Sequence, residues 1–210
     1  MAVEFKNSET KENLMRAFAG ESQARNRYTF AAELAQKNGL YVIKEIFELT
    51  ANQEREHGEV FYGHLKEMEG KEVRVDASYP VNTSEDVVKQ LEDAVTNENK
   101  EGEEIYRIFG DTALKEGFNQ IAGKFYMIAD IEKTHALRFQ TFYNLLKEGK
   151  LFASDVQVGW ICLNCGYVVE STTAPQNCPV CDKPQGYFVR LSMAPYEVPS
   201  MTKVKEQDLG

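Results

Sequence analysis

Apolar residues recur at helical spacing over most of the chain and then stop doing so. From Ser8 to Asn38 a stripe through Leu14, Phe18, Tyr28, Ala31 and Ala35 predicts a helix of about 29 residues, with Ser8 or Thr10 as its cap and Asn38-Gly39 as its stop. A second helix is predicted from about Leu40 to Glu69, with Ile43, Ile46, Phe47, Val60, Phe61 and Leu65 on its inner face and Gly70 at its end. Residues 70–83, with Pro80, form a connection long enough to cross the end or side of a bundle. Thr83 or Ser84 is expected to cap a third helix over 84–116, and a fourth is expected over 118–147. From Gly159 the pattern changes to short apolar runs with Gly, Pro and Cys, which suit hairpins.

The helical part repeats. A shift of 78 positions brings Tyr28 onto Tyr106, Ala35 onto Ala113, Gly39 onto Gly117 and Ile43 onto Ile121. It also brings Phe47 onto Phe125, Glu54 onto Glu132, His57 onto His135 and Phe61 onto Phe139. Helices one and two are therefore one half of a pseudo-symmetric unit, and helices three and four the other. One position breaks register: Glu21 shifted by 78 meets Asn99 rather than Glu98. One extra residue in helix three accounts for it, and a long helix absorbs such a residue as a π-bulge, a feature that gathers at functional sites.

The repeat carries chemistry. Glu54 with His57, and Glu132 with His135, each place a carboxylate and an imidazole one turn apart on one helix face. With Glu21 and Glu98 on the other two helices, they form the ligand set of a dinuclear carboxylate site inside a four-helix bundle. Mixed oxygen and nitrogen donors suit iron or manganese, and zinc less specifically. Burying so many carboxylates without cations would be prohibitive. Glu101, one turn after Glu98, is a seventh candidate, and its counterpart in the repeat is Gln23, so it would serve one metal only. Tyr28 and Tyr106 are placed to hydrogen-bond ligand carboxylates. His64 has no glutamate three residues before it and reads as a packing or surface histidine.

The second motif is Cys162-Leu-Asn-Cys165-Gly166 with Cys178-Pro-Val-Cys181-Asp182. Paired knuckles of this spacing set four thiolates tetrahedrally around a metal, zinc or iron. Gly166 suits the left-handed turn after a knuckle, and Asp182 tolerates it. Trp160, Tyr167, Tyr187 and Phe188 supply an aromatic shell.

Composition adds bounds. The 210 residues are 42% hydrophobic and 27% charged, with a net charge of −9, which argues against nucleic acid or an anionic membrane as partner. There is no signal-peptide core and no membrane-length apolar run. A cytoplasmic chain is expected, with its cysteines on metal rather than in disulfides. The expected organisation is a bundle over 1–148, a linker over 149–158, a cysteine module over 159–192 and a polar tail over 193–210.

Through Ala-Gly-Glu21, both Glu-x-x-His pairs, Glu98-x-x-Glu101 and the two cysteine knuckles after Trp160, the chain resembles the rubrerythrin family over roughly residues 8–192. The resemblance implies a mainly α fold: a ferritin-like di-iron four-helix bundle followed by a small rubredoxin-like β module holding one iron on four cysteines. It implies Glu54 and Glu132 as bridging ligands, Glu21 and Glu98 as further ligands, and an exchange between Glu101 and His57 at one iron with oxidation state. His57, Glu101, Tyr28 and Tyr106 are then the residues expected to take part in catalysis. The implied activity is peroxidase: hydrogen peroxide reduced to water in oxidative stress defence. No nucleotide fingerprint is present, so electrons from NAD(P)H would arrive through a separate reductase or rubredoxin. His135 lies about 18 Å along its helix from the module's attachment, which points to a head-to-tail homodimer. Two other readings stand beside this one: a ferritin-like iron oxidation and storage protein with an accessory zinc ribbon, and a binding module with a structural bundle.

Overall fold

The computed structural model describes residues 3–195. Helix α1 spans Glu9–Lys37 and α2 spans Tyr41–Gly63. A long crossover leads to α3, Val87–Lys100, which continues through a π-helical turn, Glu101–Ile105, into α4, Tyr106–Glu116. Helix α5 spans Asn119–Lys147. Since α3, the π turn and α4 run as one rod, the bundle has four long helices, α1 paired with α2 and the α3–α4 rod with α5. The π turn sits where the broken repeat register requires an extra residue.

The helix stops show the repeat in three dimensions. Gly39 and Gly117 both take positive φ, 71° and 92°. After them, Leu40 N–H donates to Ala35 O at 2.9 Å and Phe118 N–H to Ala113 O at 2.8 Å, two bonds related by the same shift of 78. Positive φ carries no Cβ penalty at glycine, which is why the two hairpin turns share it.

The predicted boundaries differ in three places. The second helix ends at Gly63 rather than Glu69: His64 and Leu65 bond back three residues, to Phe61 and Tyr62, and the chain tightens into a 3-10 turn over Lys66–Met68. The third helix is capped by Asp86, whose side chain accepts from Val88 N–H at 2.9 Å. Ser84 is used up one step earlier, accepting from Asp86 N–H, so neither Thr83 nor Ser84 is the cap. At the other end of the bundle, part of the expected linker is strand: β1 runs over Ala153–Cys162, with a register irregularity between Ala153 and Val158. Ser8 caps α1 as expected, accepting from Lys11 N–H.

β1 is the centre of an antiparallel sheet of order β2-β1-β3, with β2 at Val168–Thr173 and β3 at Phe188–Arg190. Trp160, fully buried, packs with Phe188, Ala174 and the cysteines, and its indole N–H donates to Ser171 O at 3.0 Å. The small sheet packs on its own chain's bundle at the α1–α2 turn. Tyr187 stacks on Tyr41 with ring centres 4.0 Å apart, and Val189 and Leu151 join the core formed by Ala35, Val42 and Ile43. Most of the expected C-terminal tail, residues 196–210, lies outside the described residues.

Candidate metal centres

The bundle core contains seven buried carboxylate and imidazole side chains: Glu21, Glu54, His57, Glu98, Glu101, Glu132 and His135. Each comes from a long helix whose other inward positions are mostly apolar. Three rings lie on either side: Tyr28, Phe47 and Phe139 toward one end, Tyr106, Phe125 and Phe61 toward the other. The two triplets are images of each other under the repeat, and they screen the site from water along the bundle axis.

Between them the donors converge in two groups. Glu21, Glu54, His57 and Glu132 bring one ligand atom each within 4.8 Å of one another, and so do Glu54, Glu98, Glu132 and His135. Glu54 and Glu132 belong to both. His57 Nδ1 lies 3.0 Å from Glu54 and 3.0 Å from Glu132; His135 Nδ1 lies 3.0 Å from Glu54 and 2.8 Å from Glu132. The two imidazoles face across the carboxylates, nearly parallel, 5.5 Å between centres. Two cations can therefore each have one imidazole and one carboxylate of their own and share two carboxylates.

Hydrogen bonding supports that arrangement. Five carboxylate oxygens, on Glu21, Glu54, Glu98 and both of those on Glu132, are buried without a hydrogen-bond partner, as are both nitrogens of His135. Orphaned buried oxygens at this density are costly unless cations neutralise them, so the residues fit a pair of metal ions. Of the remaining oxygens, that of Glu54 pairs with His57 Nδ1, and those of Glu21 and Glu98 are held from outside the cluster: Tyr106 donates to Glu21 at 2.7 Å and Tyr28 donates to Glu98. Each tyrosine thus fixes a carboxylate from the opposite half of the repeat. Burial pushes both phenols well above their ordinary range, which keeps them protonated donors.

The protein alone answers this crowding by redistributing protons. Burial, with Glu132 and Glu54 nearby, raises Glu21 well above the carboxylate range; burial, with Glu54 nearby, does the same to Glu132. Burial and Glu98 raise Glu101 to about 8. Burial also raises Glu54, but the facing imidazoles outweigh it and bring it to about 2. Burial opposes charge on His135, yet Glu132, Glu54 and Glu98 hold it up to about 12. Protons occupy the charge-balancing role that cations take on loading.

Glu101 stands apart. It is buried and near Glu98 and Glu54 in charge terms, but it belongs to neither four-residue group. It opens the π turn, with its side chain toward a cavity on the flank of the bundle. His64 ends α2 at the surface, away from both groups.

In the small sheet, Cys162 and Cys181 sulfurs lie 3.8 Å apart and Cys165 and Cys178 sulfurs 3.5 Å apart. Thiolates at about 2.3 Å from a tetrahedral centre stand about 3.8 Å from one another, whereas a disulfide needs about 2.05 Å. Gly166 and Asp182 take the expected left-handed turns, at φ 78° and 56°. The turns aim backbone N–H groups at the sulfurs: that of Lys183 holds the Cys181 thiol down to about 7, in the range where it ionises readily.

A family model described as Rubrerythrin matches residues 12–146, and one described as Rubrerythrin, rubredoxin-like domain, matches residues 160–189. The chain belongs to the rubrerythrin family. Rubrerythrin of Clostridium perfringens is 43% identical over 87% of this chain and 94% of its own length. Rubrerythrin of Nitratidesulfovibrio vulgaris is 40% identical over 90% of this chain and 97% of its own. Nigerythrin in a partially reduced state superposes with a TM-score of 0.59 at 30% identity, covering 90% of this chain and 88% of that one. A bacterioferritin from Rhodobacter capsulatus, at 20% identity and a TM-score of 0.60, shares the bundle fold over 70% of this chain. The carboxylate–histidine cluster is thus a ferritin-like di-iron site, and the four cysteines are a rubredoxin-like iron site.

Sequence reasoning passed over the residues that hold the crossover. Arg16 Nε donates to Asp76 O, Tyr79 hydroxyl donates to Arg16 O, and Arg27 donates to Asn82, which also accepts from Asn97. The only signal was Tyr79-Pro80 inside an otherwise polar connection.

Proposed function

We propose that the protein is a non-haem di-iron peroxidase that reduces hydrogen peroxide to water, with electrons relayed through its tetra-cysteine iron. The observation that carries the reading is the double sharing of Glu54 and Glu132 by two facing histidines, with their oxygens otherwise orphaned. In this assignment Glu54 and Glu132 would be shared between two irons, Glu21 and His57 would hold one and Glu98 and His135 the other, and Glu101 would exchange with His57 at the first. Two ferrous ions held together supply the two electrons that one peroxide needs to become two waters, without release of a one-electron radical.

The chain's own groups do the remaining work. Tyr28 and Tyr106 fix Glu98 and Glu21, so that these two carboxylates keep their places while Glu101 and His57 exchange. Glu101 stands at the edge of the site beside the cavity, where it is placed to pass a proton to a departing oxygen. The aromatic triplets exclude water from the bundle axis.

Electron delivery calls for a second chain. The module packs against Tyr41, thirteen residues before Glu54 on the same helix, or about 20 Å along it. A head-to-tail homodimer, in which each module serves the partner's bundle, shortens that route. The donor to the module is a separate reductase or rubredoxin passing on electrons from NAD(P)H, in a cytoplasm reducing enough to keep four thiolates free. Among the described residues no helix is long and apolar enough to cross a membrane.

The test is an anaerobic titration of fully reduced, iron-loaded protein with hydrogen peroxide, following the colour of the ferric tetrathiolate. Oxidation of both centres at two electrons per peroxide is expected. A silent or absent tetrathiolate, with iron uptake beyond three per chain, would instead favour the storage reading.

A further inference from the structure

The crossover does more than join the two halves. Between it and the bundle lies a cavity of about 470 Å³, walled by Tyr79 and Pro80 on the outside and by Ile105, Ile108 and Phe109 on the side of the α3–α4 rod. Of the seven bundle-core donors only Glu101 lines it, and Tyr106 lines it too, although its ring is otherwise buried. The floor is open because residue 20 is glycine: a Cβ there would stand 3.5 Å from the Tyr79 ring and 4.0 Å from the Tyr106 hydroxyl. Two of the lining groups belong to the site behind it: Glu101 itself, and Tyr106, whose hydroxyl donates to Glu21.

The crossover is fastened at both ends of this cavity. Arg16 grips it at Asp76 and receives the Tyr79 hydroxyl; Arg27, eleven residues further along α1, grips it at Asn82. The wall is therefore a built part of the fold. Its size is the informative quantity. Hydrogen peroxide is little larger than water, whose share of liquid volume is about 30 Å³. A volume of 470 Å³, with a mainly apolar wall that also carries Arg16, Asp76, Asn97, Lys100 and Glu101, is of the size that holds small organic ligands.

Resting on the peroxidase reading, we propose that this cavity is the substrate chamber, that it admits small organic hydroperoxides as well as hydrogen peroxide, and that Tyr79 sets the size of organic group accepted. The hydroperoxide end lies toward Glu101 and the Tyr106 hydroxyl, and the organic group lies against Pro80, Ile108 and Phe109. The reaction balances as ROOH plus two electrons and two protons giving ROH and water. The O–O bond breaks, the ferrous pair supplies the electrons, and the protons come from solvent.

The test uses the full-length, iron-loaded protein. Binding of 2-phenylpropan-2-ol, the alcohol formed from cumene hydroperoxide, is measured by calorimetry on the oxidised protein, which does not turn over. Saturable binding is expected, at least tenfold weaker in Gly20→Leu, which fills the floor, and in Ile108→Trp, which narrows the exposed rim without touching the α1–α2 packing. In anaerobic stopped flow, the ratio of the oxidation rate with cumene hydroperoxide to that with hydrogen peroxide is expected to fall at least tenfold in those variants and to rise at least threefold in Tyr79→Ala. Alcohol binding that is absent, or a ratio indifferent to all three substitutions while hydrogen peroxide still oxidises the protein, overturns the chamber and leaves the peroxidase reading standing. Failure of either peroxide to oxidise the reduced protein overturns both.

Discussion

Tyr106 donates its hydroxyl proton to Glu21 at 2.7 Å, across the boundary between the two halves of the repeat. Tyr28 makes the reciprocal bond to Glu98. Each half therefore orients a carboxylate that the other half supplies, and neither half makes a complete site alone. Tyr106→Phe leaves Glu21 buried with one partner fewer, which costs about 1–3 kcal/mol in the metal-free protein. It is also expected to weaken iron binding by about 10- to 100-fold, the usual cost of losing a group that orients a ligand. Chelator competition on the two proteins measures the second effect, and urea unfolding the first.

Gly102 lies inside the π turn, where a Cβ would come within 2.7 Å of the Ala129 carbonyl oxygen on α5. Backbone cannot swing away as a side chain can. Gly102→Ala is expected to destabilise the protein by about 1–3 kcal/mol and to shift Glu101 next to it. Gly123, on α5 with nothing near its missing Cβ, is the control. Gly123→Ala should stabilise by about 0.5–1 kcal/mol. Denaturant midpoints of the two variants should move in opposite directions.

Gly186 touches the α1–α2 turn so closely that a Cβ would fall 1.8 Å from the Gly39 carbonyl oxygen. Gly186→Ala cannot keep that contact or the stacking of Tyr187 on Tyr41 next to it. The module is expected to separate from its own bundle with its tetrathiolate absorption intact. Hydrogen exchange should then quicken at residues 38–41 and 150–152, while protection around His57 and His135 is retained.

Stability of the metal-free protein should depend on pH with a sign opposite to that of ordinary carboxylate pairing. Glu101 is raised from 4.5 to about 8, so its contribution is complete below pH 4.5 and is lost as pH rises through 8. Glu54 is lowered from 4.5 to about 2, so its contribution is present above pH 4.5 and is lost as pH falls through 2. The metal-free Tm is expected to be highest in mild acid and to decline between about pH 5 and 8. In the iron-loaded protein the decline should vanish or reverse, because cations replace protons on the same oxygens and bind more tightly as pH rises. Thermal scans across that range, with and without iron, decide it.

Local spacing made much of this protein legible in its sequence. The period of 3.6 residues places Glu54 with His57 and Glu132 with His135 on shared helix faces whatever surrounds them, and Cys-x-x-Cys with Gly166 and Asp182 determines a knuckle in the same way. The shift of 78 gave the pairing of halves, and one misplaced glutamate gave the π turn. These are short-range constraints, carried by residues within one or two turns of each other. Tertiary structure alone decided that both histidines face the same two carboxylates, that each tyrosine serves the opposite half, and that Glu101 stands at a cavity rather than within either cluster. It also decided that the crossover is pinned over that cavity by Arg16 and Arg27, and that Gly186 seats the module against Gly39. Each of these depends on surfaces far apart in the chain meeting at van der Waals distance, and spacing along one helix says nothing of what another helix will present to it.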